Sequence, residues 1–197
     1  MLLSALHEMA SRPWVYDQIQ KLAGVRRVYQ RISRQLPAGA TGYVLDVGGG
    51  TGAIRPLWPR DCRYVCLDIE MPKLRGFRAK TADGLALQTD ATRMPIADAC
   101  ASSVVCMAVA HHLTDTMLAS VLSESARVLR PGGRMFFLDP VFDRRRALGR
   151  MIWRLDRGSY PRSADTLHNV FSQHFHVAHW EQFAIHHEYV FGVGIRA

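Results

Sequence analysis

Val44–Gly52 reads Val-Leu-Asp-Val-Gly-Gly-Gly-Thr-Gly, and no other stretch constrains this chain so tightly. Tyr43, Val44, Leu45 and Val47 make a short apolar run that ends abruptly in glycine, the pattern of a buried parallel strand feeding a tight turn. Gly48, Gly49, Gly50 and Gly52 strip Cβ atoms from that turn, so a ligand can lie directly against the main chain. Asp46, just before the turn, accepts hydrogen bonds but repels a phosphate at close range. The loop therefore favours a cationic or neutral ligand part over a pyrophosphate.

The remaining chain fits an alternation of strands and helices. Pro13–Ala23 and Val25–Leu36 have helical apolar spacing, and Pro37–Gly42 links them to the first strand. After Gly52 a short helix is expected, stopped by Pro59. Arg63–Asp68 is a second buried strand ending in an acid, the position from which a carboxylate takes ribose hydroxyls in open α/β sheets. Ile69 follows it and can flank an adenine. Met71–Gly84 has weak periodicity and little room for a full helix. Leu85–Thr89 predicts a third strand, Ser103–Ala110 a fourth and Met135–Leu138 a fifth. Between the last two, Asp115–Leu129 is a helix with Thr114 as its N-cap. Ser163 caps a further helix to about Phe171. Val177–Ile185 and Tyr189–Ile195 make an antiparallel pair turning near His186-His187.

Several motifs in this order resemble class I S-adenosylmethionine (SAM) dependent methyltransferases. Asp46-Val47-Gly48-Gly49-Gly50-Thr51-Gly52 is similar to the family's first motif, although Gly48, Gly50 and Ala53 also fit a loose dinucleotide fingerprint. Asp90-Ala91-Thr92-Arg93-Met94-Pro95-Ile96-Ala97-Asp98 resembles the adenine-binding segment, in which Asp90 would accept from the exocyclic amine. His111-His112-Leu113 after the fourth strand, and Arg127-Val128-Leu129-Arg130-Pro131-Gly132-Gly133 before the fifth, are further likenesses. The resemblance runs from about Tyr43 to Asp139. It implies a Rossmann-like three-layer α/β sandwich, with a seven-stranded, mostly parallel sheet and an antiparallel terminal hairpin.

The same resemblance divides the chain into N-terminal lid helices (1–42), a SAM-binding core (43–139) and substrate-side helices with the hairpin (140–197). It implies a SAM site made of Tyr16 from the lid, Asp46, Gly48, Gly49, Gly50, Thr51, Gly52, Asp68, Ile69, Asp90, Ala91 and Met107. An NAD(P) oxidoreductase is the competing enzyme reading, but the chain has no Tyr-x-x-x-Lys pair. A non-catalytic scaffold built on the same fold is the third.

His111 and His112 sit where ligands bind in such sheets and have a pKa suited to a general base for the methyl acceptor. One is expected to be structural and the other to face substrate. His174, His176 and His179 lie close in sequence, yet no acid or cysteine completes a metal set, and no metal is expected.

At 197 residues the chain has the size of one domain, and no apolar run approaches the ~20 residues of a membrane span. Met1–Ala10 lacks a basic start and is interrupted by Glu8, so it does not read as a signal peptide. Cys62, Cys66, Cys100 and Cys106 form no C-x-x-C pair, and a cytoplasmic location is expected. The net charge is +8, with only Lys21, Lys73 and Lys80 besides arginine. Arg144, Arg145, Arg146, Arg150, Arg154 and Arg157 crowd one amphipathic stretch, Asp143–Arg157, beside Leu148, Met151, Ile152, Trp153 and Leu155. Such a helix can lie on an anionic membrane or cover an anionic, lipid-like acceptor; equally it is a surface helix packed on the sheet. No stacking platform supports nucleic-acid binding.

Overall fold

The computed structural model describes residues 25–36, 41–142, 160–185 and 188–197. Strands β1 (Tyr43–Val47), β2 (Arg63–Asp68), β3 (Gly84–Gln88), β4 (Ala101–Met107), β5 (Leu129–Val141), β6 (His176–Ala184) and β7 (Glu188–Ile195) form one sheet in the order β3-β2-β1-β4-β5-β7-β6. The first five pair in parallel, while β7 runs antiparallel to both β5 and β6. The central strands are apolar on both faces because both faces are covered. Val44 and Leu45 of β1, and Val104 and Val105 of β4, are at most 1% exposed.

Helices α1 (Val25–Ser33), α2 (Met71–Lys80), α3 (Asp115–Val128) and α4 (Ala164–Ser172) supply the outer layers. On one face Leu118, Val121 and Leu122 of α3 and Leu167 and Phe171 of α4 pack with Leu45, Val47 and Phe137. On the other, Val28 and Ile32 of α1, Leu74 and Phe77 of α2, and Trp58 pack with Val44, Phe136 and Phe191. Two expected caps are present. Thr114 Oγ1 accepts the Met117 N–H at 3.3 Å, and Ser163 Oγ accepts the Thr166 N–H at 3.2 Å.

Helix α1 ends at Ser33 rather than Leu36 and β4 starts at Ala101 rather than Ser103, and three larger differences from the sequence expectation stand beside these. Met71–Lys80 is a full helix, started by Pro72 in its first turn and anchored only by Leu74 and Phe77, too few apolar positions to show a period. β4 stops at Met107 rather than Ala110. Ala108 adopts φ +56° and the chain turns into a 3-10 segment, Ala110–His112, so the two histidines lie on the turn after the strand. β5 starts at Leu129, and Pro131-Gly132-Gly133 lies within it, where the ladder with β4 shifts register between Ala101 and Ser103. That irregularity is clasped from outside: the Gly132 N–H donates to Arg196 O and the Arg196 N–H to Gly133 O. The hairpin has its expected strands to within a residue or so, with His186-His187 outside the described residues. Pro13–Ala23, Tyr16 and Asp143–Arg157 also lie outside them.

Candidate active site

The carboxyl ends of the parallel strands β1, β2, β4 and β5 lie along one edge of the sheet, the edge at whose crevice open α/β sheets bind ligands. β1 delivers the glycine loop to it. Gly48 and Gly52 take φ of +67° and +72°, and a Cβ on either would run into Val109 or Phe77 respectively. Both positions therefore require glycine for backbone angle and for space. The loop closes on itself through Gly52 N–H to Gly49 O (2.8 Å) and on β2 through Gly49 N–H to Leu67 O (3.1 Å).

Asp68 braces the loop from the end of β2. Its Oδ2 accepts the Gly50 N–H at 2.9 Å and its Oδ1 the Glu70 N–H at 2.8 Å. Each oxygen keeps a second lone pair for a ligand hydroxyl. Ile69 beside it is 65% exposed, an apolar pad next to that carboxylate. The Thr89 N–H donates to Asp68 O, which brings Asp90 alongside. Asp90 is exposed, and its Oδ1 holds the Thr92 N–H and hydroxyl, both at 2.8 Å. Thr51 is buried in the loop and Ala91 packs against the core. Met107 is half-buried at the end of β4, against the second-face core. The structure thus gathers Asp46, the glycine loop, Asp68, Ile69 and Asp90 around one end of the crevice.

Asp46 is 2% exposed and receives the Tyr64 hydroxyl on Oδ2. Burial pushes its carboxyl up to about 7; the Tyr64 hydrogen bond opposes the rise and the neighbouring Asp68 charge adds to it. A site with this donor set and a backbone cradle fits a ligand carrying a cation and ribose hydroxyls, and it disfavours a pyrophosphate beside Asp46. Cys66 and Cys106 are buried thiols whose pKa burial raises, which keeps them protonated and inert.

The two histidines part company. His111 is 3% exposed, and its Nδ1 lies 3.0 Å from Asp139 Oδ1, which also accepts the Ala110 N–H at 3.0 Å. Burial raises the Asp139 carboxyl, opposed chiefly by His111. An oxygen that already accepts one N–H makes Nδ1 the protonated nitrogen, which leaves Nε2 as the basic one. His112 is exposed, its ring centroid 4.1 Å from that of His111.

Sequence reasoning missed the residues that hold this end together. Arg162 is 8% exposed and donates to the carbonyls of Ala110 (2.8 Å) and Leu113 (2.6 Å) and, through Nε, to Asp115 Oδ1 (2.8 Å). Arg127 grips the Asp90–Asp98 segment through Met94 O (3.0 Å), Ile96 O (2.8 Å) and Asp98, and is itself held bidentately by Glu124. Nothing in the sequence singles out one arginine among so many. Tyr64 had a signal: it shares a strand face with Cys66 and Asp68 at two-residue spacing.

Among the described residues no three His, Cys, Asp or Glu side chains gather as a metal site, and no described helix is long and apolar enough to cross a membrane.

Sheet order, reversed seventh strand and acid-flanked glycine loop together define the class I SAM-dependent methyltransferase fold. Residues 45–137, just under half of the chain, match the family model described as a methyltransferase domain. The 27-O-demethylrifamycin SV methyltransferase of Amycolatopsis mediterranei is 32% identical over 117 residues, 55% of this chain and 42% of that protein. Human thiol S-methyltransferase TMT1B is 36% identical over 113 residues, 52% of this chain and 45% of its own length. The chain spans about half the length of the curated relatives it matches. Among solved structures, a chain from the Haloferax volcanii Trm112 methyltransferase activator complex superposes with a TM-score of 0.78 at 19% identity, covering 94% of this chain and 97% of that one. Geranyl diphosphate methyltransferase in complex with SAM gives 0.72 at 11% identity, over 87% and 85% of the respective chains. At such identities the structural likeness speaks for the fold alone.

Proposed function

We propose that this protein transfers the methyl group of SAM to a small-molecule acceptor. The observation that carries the proposal is the glycine cradle flanked by Asp46 and Asp68, with Asp68 bonded directly to the Gly50 N–H. The bound cofactor would supply a methyl on a sulfonium, open to in-line displacement. Asp46 would face its cationic amino-acid end, Asp68 its ribose hydroxyls, and Asp90 with Ile69 its adenine. Methyl transfer asks the protein chiefly for alignment and exclusion of water. Where the acceptor must lose a proton, exposed His112 is the base, and His111, fixed by Asp139, shapes the turn that presents it.

Relatives named for rifamycin, thiol and quinone methylation support an organic acceptor rather than a macromolecule. The arginines of residues 144–157 favour one that is anionic or lipid-like, with contact to an anionic membrane surface, and the reading places the protein in the cytoplasm. The test is calorimetric titration with SAM, S-adenosylhomocysteine and NADH, followed by label transfer from methyl-labelled SAM to a panel of phenols, thiols, quinols and prenylated acids. Binding of the two sulfur ligands and label in at least one acceptor is expected. Binding of NADH alone would overturn the assignment, and sulfur-ligand binding with no transfer to any acceptor would favour a scaffold.

A further inference from the structure

Tyr64, Cys66 and Asp68 lie on one face of β2, and all three support the glycine loop. Asp68 takes the Gly50 N–H, and the Cys66 thiol sits 3.6 Å from the Gly50 carbonyl. Tyr64 reaches the loop indirectly. Its ring is 1% exposed, 6.0 Å from Phe77 and 5.3 Å from the Arg55 guanidinium, and its hydroxyl donates to Asp46 Oδ2. Asp46 in turn fills the space that a side chain on Gly49 would need. A phenylalanine would satisfy this apolar environment, so the buried hydroxyl is explained only by its partner. That partner is the acid beside the ligand loop.

We infer that Tyr64 is a positioning residue for the cationic amino-acid end of the cofactor, acting through Asp46. The inference rests on the methyltransferase reading above. The phenol donor occupies Oδ2, fixes the plane of the carboxylate and stabilises its ionised form. A ligand ammonium then meets an oriented anion instead of a protonated acid. Without that hydroxyl, burial beside Asp68 drives Asp46 further toward its neutral form.

The test compares two ligands. S-adenosylhomocysteine carries the amino-acid end; 5′-methylthioadenosine lacks it and keeps the adenosine. For Tyr64→Phe we expect affinity for S-adenosylhomocysteine to fall about tenfold at pH 7, with part of the loss recovered at pH 8.5 as Asp46 ionises, and affinity for methylthioadenosine to stay within about twofold. In an Asp46→Ala background, where residue 46 offers the phenol no acceptor, adding Tyr64→Phe should cost nothing further. Equal losses for both ligands would mean that Tyr64 merely supports the fold, and a further loss in the Asp46→Ala background would mean that it acts independently of Asp46. Either result, or unchanged affinity, overturns the inference. Wild-type protein that binds neither ligand overturns the cofactor assignment and the inference with it.

Discussion

Asp139 serves two partners with one oxygen: its Oδ1 takes the Ala110 N–H and stands 3.0 Å from His111 Nδ1, so the turn after β4 and the ring it carries are fixed by the end of β5. His112, next in sequence, is exposed. We expect His112→Gln to lower kcat by about 10²-fold on an acceptor that must lose a proton, with melting temperature unchanged. His111→Gln and Asp139→Asn should instead lower stability by about 2–3 kcal/mol, because each leaves a buried polar group badly paired. Thermal melts beside pH–rate profiles separate the two classes. A catalytic collapse confined to His111→Gln would reverse the assignment.

Asp46 makes the folded protein sensitive to pH. Its folded-state pKa, about 7, stands above its ordinary value of 3.8. The folded state therefore holds the proton more tightly, and the contribution of this residue to stability is lost as pH rises from about 4 through 7. Asp46→Asn removes the ionisation while keeping an acceptor for Tyr64. The variant's stability relative to wild type should rise across that window, by on the order of 2–4 kcal/mol, and level off above it. Urea denaturation from pH 4 to 8.5 measures this; a difference independent of pH would contradict it. The stabilised variant should bind S-adenosylhomocysteine poorly, a trade of function against stability.

Arg162 joins the turn carrying His111 and His112 to the start of α3. Arg162→Ala should cost about 2 kcal/mol, since it takes the guanidinium from Leu113 O and leaves Ala110 O with the Leu113 N–H alone. Arg162→Lys should recover less than half of that, because a single ammonium cannot span two carbonyls and the Asp115 carboxylate in one plane. Full rescue by lysine would show that charge alone matters here.

Arg127 and Glu124, neighbours on α3, both bind the segment after β3, the arginine through the Met94 and Ile96 carbonyls and the glutamate through the Met94 N–H at 2.8 Å. Arg127→Met should speed amide exchange across residues 91–98 and weaken S-adenosylhomocysteine about tenfold while leaving the β1–β2 amides protected. Exchange mapped by mass spectrometry decides this, and faster exchange everywhere would point to global destabilisation instead.

How much of this was legible depended on how local each signal is. The glycine loop and Asp68 were readable because glycine backbone angles and a strand-ending acid are properties of a few consecutive residues. The Asp46–Tyr64 bond was not, since it joins neighbouring strands whose register, Asp46 opposite Cys66, exists only in the folded sheet. Asp139 was visible at the crevice, but its grip on His111, 28 residues away, was not. Arg162 reaches Asp115 over 47 residues with no motif to mark it. The end of β4 was overrun because Ala108 turns left-handed without the glycine that usually announces it. α2 went unseen because two buried side chains do not make a period.

The place of β7 has a consequence for how the chain is made. It follows β6 in the chain, yet it lies between β5 and β6, and Val190, Phe191 and Val193 are buried there. Until it leaves the ribosome, β6 has no neighbour to pair with and β5 presents an open flank. Nascent chains should therefore stay protease-sensitive and dependent on chaperones until β7 has been made, and this sheet should close only when that strand slides into the gap kept for it.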